Sequence, residues 1–182
     1  MGLKLARAAS IQFRTIVMDP PWYLKGGGKI KRGSDKHYPL LKNNKEIFDV
    51  VSRSGVFNPH PDGCHMYLWV VNNFLIDGLE LMAMLNFRYI TNIVWVKNQI
   101  GLGQYFRGKH ELCLFGVRQP KGKPALMTRV KKFPTVIEAP KTRHSAKPDA
   151  FYKLVQAASH PPRVELFSRR RRAGWDAWGD EV

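Results

Sequence analysis

A chain of 182 residues, 44% apolar and 12% aromatic, carries enough bulk for one folded domain (1–182), which excludes wholesale disorder. The 30 Lys and Arg against 14 Asp and Glu leave a formal charge of +16, so the expected partner is a polyanion, whose counterions are released as its phosphates are neutralised. Two cysteines outside any C-x-x-C pattern and six scattered histidines give no structural metal, and no run has the length or apolarity of a signal peptide or bilayer span.

Thr15 to Met18 is a short apolar run, a buried strand that stops at Asp19-Pro20-Pro21-Trp22. Lys25 to Lys36 holds four glycines among Lys25, Lys29, Lys31, Arg32 and Lys36, and reads as a cationic surface loop. Asn44 to Val51 predicts a helix capped by Asn43 or Asn44. Cys64 to Val71 predicts a second buried strand, followed by Asn72-Asn73 as a cap and a helix through Leu85. Tyr89 to Val96 and Glu111 to Val117 read as strands joined by the loop Lys97 to His110. Cys64 and Cys113 lie inside such apolar runs and read as buried thiols, which fits a reduced, cytoplasmic setting.

Arg118 to Lys132 forms a second cationic insertion, with Lys121, Lys123, Lys131 and Lys132 as candidate phosphate contacts beside those of the first. Pro148 opens a helix at its first position that runs through Ala158, Val164 to Phe167 is a last strand, and Arg169 to Arg172 begins a basic tail containing Trp. Strands alternating with helices predict an α/β fold with a mostly parallel central sheet flanked by helices.

Asp19-Pro20-Pro21-Trp22 sits where open α/β sheets gather ligands, beyond the carboxyl end of a strand. An exocyclic amine on a purine is a poor nucleophile because its lone pair is delocalised into the ring. Hydrogen bonds from its protons to the Asp19 carboxylate and the Pro20 carbonyl would push the nitrogen towards sp³ geometry, with Pro20 and Pro21 holding the turn rigid. Trp22 would stack on an extruded base. Taken alone, the tetrapeptide reads equally as a strand-ending turn around a buried Trp. Thr15 to Asp19 is also like the acidic strand of an ATPase, but the chain has no G-x-x-x-x-G-K-[ST] to go with it.

With its neighbours the motif resembles the adenine-N6 methyltransferases that include the mRNA adenosine methyltransferase catalytic subunit and many bacterial and phage DNA enzymes. His37-Tyr38-Pro39, Tyr67-Leu68-Trp69-Val70, Val94-Trp95-Val96-Lys97 and Lys109 to Leu114 resemble family segments in the family's order. So do His144 to Asp149, Glu165 to Arg169 and Trp178 to Glu181, and the resemblance covers about Thr15 to Val182. It implies a Rossmann-like fold in permuted order, with the catalytic strand first and the cofactor strand last. It further implies S-adenosyl-L-methionine as cofactor, with Asp19 at the transfer site and Lys147 on the methionyl carboxylate. Arg169 then meets the ribose, Gly179, Asp180 and Glu181 lie at the adenine end, and Arg171 and Arg172 are nearby candidates. Asp180 stands where Asn is common, and Arg171 and Arg172 stand where the mRNA enzyme has His and Asn. Tyr38, Trp69, Trp95, Lys97 and Glu111 match positions around the acceptor pocket, although Trp69 and Trp95 read equally as core.

The expected activity is methylation of adenine in nucleic acid, with a homodimer as the candidate assembly and no membrane or metal partner. Only 18 residues precede Asp19, as in the shorter bacterial and phage enzymes, so DNA is expected over RNA, in a prokaryotic or phage-infected cell. A catalytically silent nucleic-acid-binding subunit is the alternative outside catalysis, and protein-amide methylation would leave the charge unexplained.

Overall fold

The computed structural model describes residues 11–23, 41–101, 105–130, 132–141, 146–180 and 182. The first cationic insertion, with Lys25, Lys29, Lys31 and Arg32, lies outside the described residues, as do Tyr38, Lys131, His144, Ser145 and Glu181. Strand β1 (Thr15–Met18) is buried at every position, because it runs through the middle of the sheet with side chains packed on both faces. Helix α1 (Asn44–Arg53) is started by Asn43, whose side chain accepts the Glu46 N–H at 3.0 Å. It is followed by β2 (Cys64–Val70), a 3-10 turn at Asn72–Phe74 and α2 (Leu75–Met84).

The expected Asn72-Asn73 cap is absent: Val71 and Phe74 occupy the cap positions, and neither makes a side-chain capping bond. Strands β3 (Arg88–Val96), β4 (His110–Arg118) and β5 (Val136–Glu138) come next. Helix α3 (Asp149–Ala158), β6 (Arg163–Leu166) and β7 (Asp176–Trp178) complete the order. Pro148 is the extended residue before α3 (φ −68°, ψ 144°) and not its first turn. Phe167, expected at the end of the last strand, has left it with φ +60°.

The strands form one sheet in the order β5-β3-β4-β2-β1-β6-β7. Strand β4 runs against its neighbours β2 and β3, whereas β1 pairs in parallel with β2 and β6, β3 with β5, and β6 with β7. The first strand thus lies at the centre beside the second-to-last. This is the mostly parallel, Rossmann-like sheet in permuted order.

Side-chain alternation divides the core in two. Ile16, Met18, Met66, Leu68 and Leu166 point into the cluster under α1 and α2. Val17, Tyr67, Trp69, Cys113 and Trp95 point into the cluster under α3. Cys64 and Cys113 are therefore buried thiols on opposite faces. The chain leaves β1 towards β2 on one side and returns through α3 to β6 on the other. Their carboxyl ends therefore form a topological switch point.

Candidate active site

Asp19 follows β1 in the parity of Thr15 and Val17, which aims its side chain at the α3 face. The segment leading into α3 brings Lys147 to the same place. Lys147 Nζ lies 3.0 Å from Asp19 Oδ1 and 3.1 Å from Glu111 Oε2. The other oxygen of Glu111 accepts Lys97 Nζ in a short bond. Glu111 and Lys97 reach one another because β4 and β3 are antiparallel and their ends at Val96 and His110 are paired. The result is a chain of alternating charge, Asp19–Lys147–Glu111–Lys97, set on Trp69 and Trp95. Lys147 Nζ lies 5.1 Å from the Trp69 ring, and Lys97 Nζ the same distance from Trp95.

The two acids differ in kind. Glu111 is partly desolvated, but two ammonium groups flank it, and its pKa falls to about 2. Asp19 has one ammonium, which it shares with Glu111. Desolvation dominates there, and with the Glu111 charge it outweighs Lys147, so its pKa rises above the ordinary carboxylate value. Lys147 is pushed upward by its two carboxylates against the opposing effect of burial, so it stays a cation. Arg169, after β6, adds a further positive charge acting on Asp19. Lys147 holds Oδ1, so an incoming amine needs only Oδ2. The Pro20 carbonyl accepts the Trp22 N–H at 2.9 Å, which fixes its direction while leaving its second lone pair for a further donor.

At the far side of the switch point, β6 and β7 end in a tight backbone crossing. A Cβ on Gly179 would lie 2.2 Å from the Ser168 carbonyl oxygen, so only glycine fits. Phe167 takes up a left-handed backbone to make the turn. Behind it Glu165 accepts bonds from the Tyr152 hydroxyl and from Ser168 Oγ (3.1 Å), and burial raises its pKa.

The MT-A70 family model matches residues 13–181 of the chain. The chain belongs to the MT-A70 family. A probable N(6)-adenosine-methyltransferase MT-A70-like protein of Oryza sativa subsp. japonica is 28% identical, over 94% of this chain and 23% of its own length. The type II methyltransferase M.MunI of a Mycoplasma species is 25% identical, over 94% of this chain and 78% of its own. The N(6)-adenosine-methyltransferase subunit METTL3 of Danio rerio is 25% identical, over 94% of this chain and 28% of its own. The chain therefore spans about a quarter of the plant and fish relatives and most of the type II methyltransferase.

Within this MT-A70 domain, Asp19, Lys97, Glu111 and Lys147 come together, although the sequence had assigned them separately to acceptor and cofactor. The ammonium of Lys97 faces Glu111, which makes it a member of the ion chain more than a wall of the acceptor pocket. Trp22 departs from its expected role. The two prolines carry it across to the α1–α2 face, where it is 6% exposed and stacks on Phe74 at 5.5 Å. Its indole N–H is given to the Trp69 carbonyl at 2.9 Å. It is a plug beneath the Asp19-Pro20-Pro21 turn and is closed to a base. Trp69 and Trp95 are core residues, and the Trp95 indole donates to the Ala139 carbonyl.

Arg172 also departs from the cofactor role. Its guanidinium carbon lies 3.3 Å from the centre of the Tyr152 ring and it bonds Asp149 at 3.2 Å, a clamp joining the tail to α3. Arg171 and Asp180 are exposed beyond β6 and β7.

The second cationic insertion is at the wrong end of the sheet. Strand β4 is antiparallel, so its carboxyl end at Arg118 pairs with Cys64, where β2 begins. The seven steps along the strand from Glu111 to Arg118 span about 24 Å. Lys121 and Lys123 follow there, with Lys123 paired to Asp62, and Lys132 is exposed on the way to β5. This segment is pinned down by the buried His65. Its Nε2 lies 2.8 Å from the Leu126 carbonyl and must donate, so its Nδ1 accepts the Ser159 hydroxyl at 2.7 Å. A polar buried His in an apolar strand was the one signal in the sequence that could have located it.

Proposed function

We propose that this chain uses S-adenosyl-L-methionine to methylate the exocyclic N6 amine of adenine in DNA. The observation that carries this is Asp19. It is a carboxylate at the switch point, held by Lys147 through one oxygen, with a raised pKa and the Pro20 carbonyl beside it. The pair of acceptors suits an amine with two protons to give. Asp19 Oδ2 accepts one N–H, and the Pro20 oxygen accepts the other through its second lone pair. The nitrogen lone pair is thereby drawn out of conjugation. A carboxylate with a raised pKa is also the better acceptor for the proton that the nitrogen sheds once it is alkylated.

The donor set fits the cofactor. The Lys147 ammonium matches an amino-acid carboxylate, Asp19 matches its ammonium or sulfonium charge, and Arg169 and Asp180 follow the ends of β6 and β7, within the chain's reach of a ribose and a purine. When bound, the cofactor supplies an electrophilic methyl group on sulfur. Glu111 and Lys97 do not touch substrate in this scheme. They keep Lys147 charged and fixed, so that Asp19 stays aimed.

The +16 charge supports a polymeric substrate, and the resemblance to bacterial and phage DNA enzymes supports DNA. The adenosine-methyltransferase names of the plant and fish relatives favour RNA as a second reading. Matched DNA and RNA oligonucleotides, incubated with the protein and cofactor and digested to nucleosides for mass spectrometry, separate the two. N6-methyladenine is expected in the DNA arm. Product in the RNA arm alone overturns DNA as substrate, and product in neither overturns the activity.

A further inference from the structure

After the strand end at Lys97, at the Asp19 end of the sheet, the segment leading back into β4 carries two adjacent aromatic rings that pack on none of the described residues. Tyr105 is 103% exposed and Phe106 is 87% exposed. Folded chains rarely present two neighbouring aromatics wholly to water, because that forgoes the largest apolar burial available to a side chain. The exposure is built in. The Lys97 N–H bonds the Lys109 carbonyl at 2.8 Å, and Gly101 N–H bonds the Gly108 carbonyl at 2.6 Å. Arg107 Nε bonds the Gly101 carbonyl at 2.8 Å, and these bonds together tie the two limbs. Tyr105 takes φ +58°, a left-handed backbone that is uncommon for a bulky residue.

The loop's own charge has one sign. From Lys97 to His110 the sequence holds Lys97, Arg107, Lys109 and His110 and no acidic residue. Arg107 and Lys109 are exposed. A groove of about 420 Å³ runs from Lys97, Asn98 and Lys109 past Glu138 to Ala139 and Pro140 beside the loop. The loop springs from the two strand ends that place Lys97 and Glu111 in the ion chain with Asp19. Exposed rings interleaved with cations suit a nucleic-acid strand, since every base offers a π-face and every linkage a phosphate.

We infer that Tyr105 and Phe106 stack on the bases flanking the target adenine, filling the space its extrusion opens, while Arg107 and Lys109 take the adjoining phosphates. This rests on the proposed adenine methylation in naming the target base.

The test uses the full chain and a fluorescent DNA oligonucleotide with a single adenine, its Kd measured across a salt series. Removing both rings (Tyr105→Ala with Phe106→Ala) is expected to weaken binding about tenfold or more, with the slope of log Kd against log salt unchanged. Tyr105→Phe is expected to bind like the wild type. Arg107→Ala with Lys109→Ala is expected to lower that slope by about 2. Cofactor titration by calorimetry is expected to be the same for all, which shows that the variants fold. A ring-less variant that binds DNA within twofold of the wild type overturns the inference. So does one that changes only the sedimentation of the protein, which would make the rings a contact between protein chains. Wild-type turnover on the same oligonucleotide separates the two claims. Turnover without an effect of the rings leaves the activity standing and removes the stacking role. Ring-dependent binding without turnover does the reverse.

Discussion

Glu111→Gln isolates the electrostatic part of the site, since glutamine keeps the shape and loses the charge. The Glu111 pKa falls from 4.5 to about 2 between two lysines. That difference corresponds to about 3 kcal/mol of folding free energy at neutral pH. The side chain is only 19% exposed, so solvent screening removes little of it. For a domain of this size, the loss should lower the melting temperature by about 6–12 °C.

The pH dependence carries the sign. A carboxylate with a depressed pKa stabilises the fold above its unfolded value, and the contribution is lost as pH falls towards the folded one. The gap between wild type and Glu111→Gln should therefore be full above about pH 5.5, shrink by about a quarter at pH 4 and by more than half at pH 3. Urea unfolding of both proteins at several pH values measures it. A gap below about 1 kcal/mol at pH 7, or one that stays constant down to pH 3.5, refutes the ion chain as a source of stability.

Trp22→Phe leaves the buried Trp69 carbonyl without its 2.9 Å donor, and should cost about 1–3 kcal/mol in thermal unfolding. Its KM for oligonucleotide should stay near that of the wild type, and a KM raised tenfold with unchanged stability would return Trp22 to the base. Gly179→Ala would push a methyl against the Ser168 carbonyl, and should cost about 1–3 kcal/mol and abolish cofactor affinity in calorimetry. Normal affinity would separate the β6–β7 crossing from the cofactor. Lys121→Ala with Lys123→Ala should leave turnover on a short oligonucleotide within twofold, because both lie at the opposite end of the sheet from Asp19. A tenfold loss would bring that end back into the substrate interface.

What could be read from the chain and what could not have physical causes. An apolar run stopped by Asp19 and two prolines announces a buried strand and a rigid turn, and β1 is both. Burial on two faces erases the alternation that would have shown which way Asp19 and Tyr67 point, so the shared face with Lys147 emerged only from the packing. Strand direction is a property of pairing. The reversal of β4 was invisible in its sequence, and with it the displacement of Lys121 and Lys123 from the site. Three-residue strands such as Val136–Glu138 and Asp176–Trp178 are too short to display a period. For Trp22 the sequence offered both a plug and a stacking surface, and the side to which two prolines turn the chain decided for the plug. The exposed Tyr105 and Phe106 were hidden for a related reason: two aromatics in a glycine-containing loop read as well for packing as for display.

The central claim is that Asp19 activates an adenine amine, and Asp19→Asn tests it most directly. Burial raises the Asp19 carboxyl above the ordinary carboxylate value, so its charged form opposes folding. Removing it should leave the melting temperature at or above that of the wild type. The measurement is N6-methyladenine formed by wild type and Asp19→Asn from one adenine-containing DNA oligonucleotide, counted by mass spectrometry beside a binding titration of each. Product from the wild type, none from a folded variant that still binds the DNA, is the expected result. Product from Asp19→Asn at a rate near the wild type's would contradict the claim.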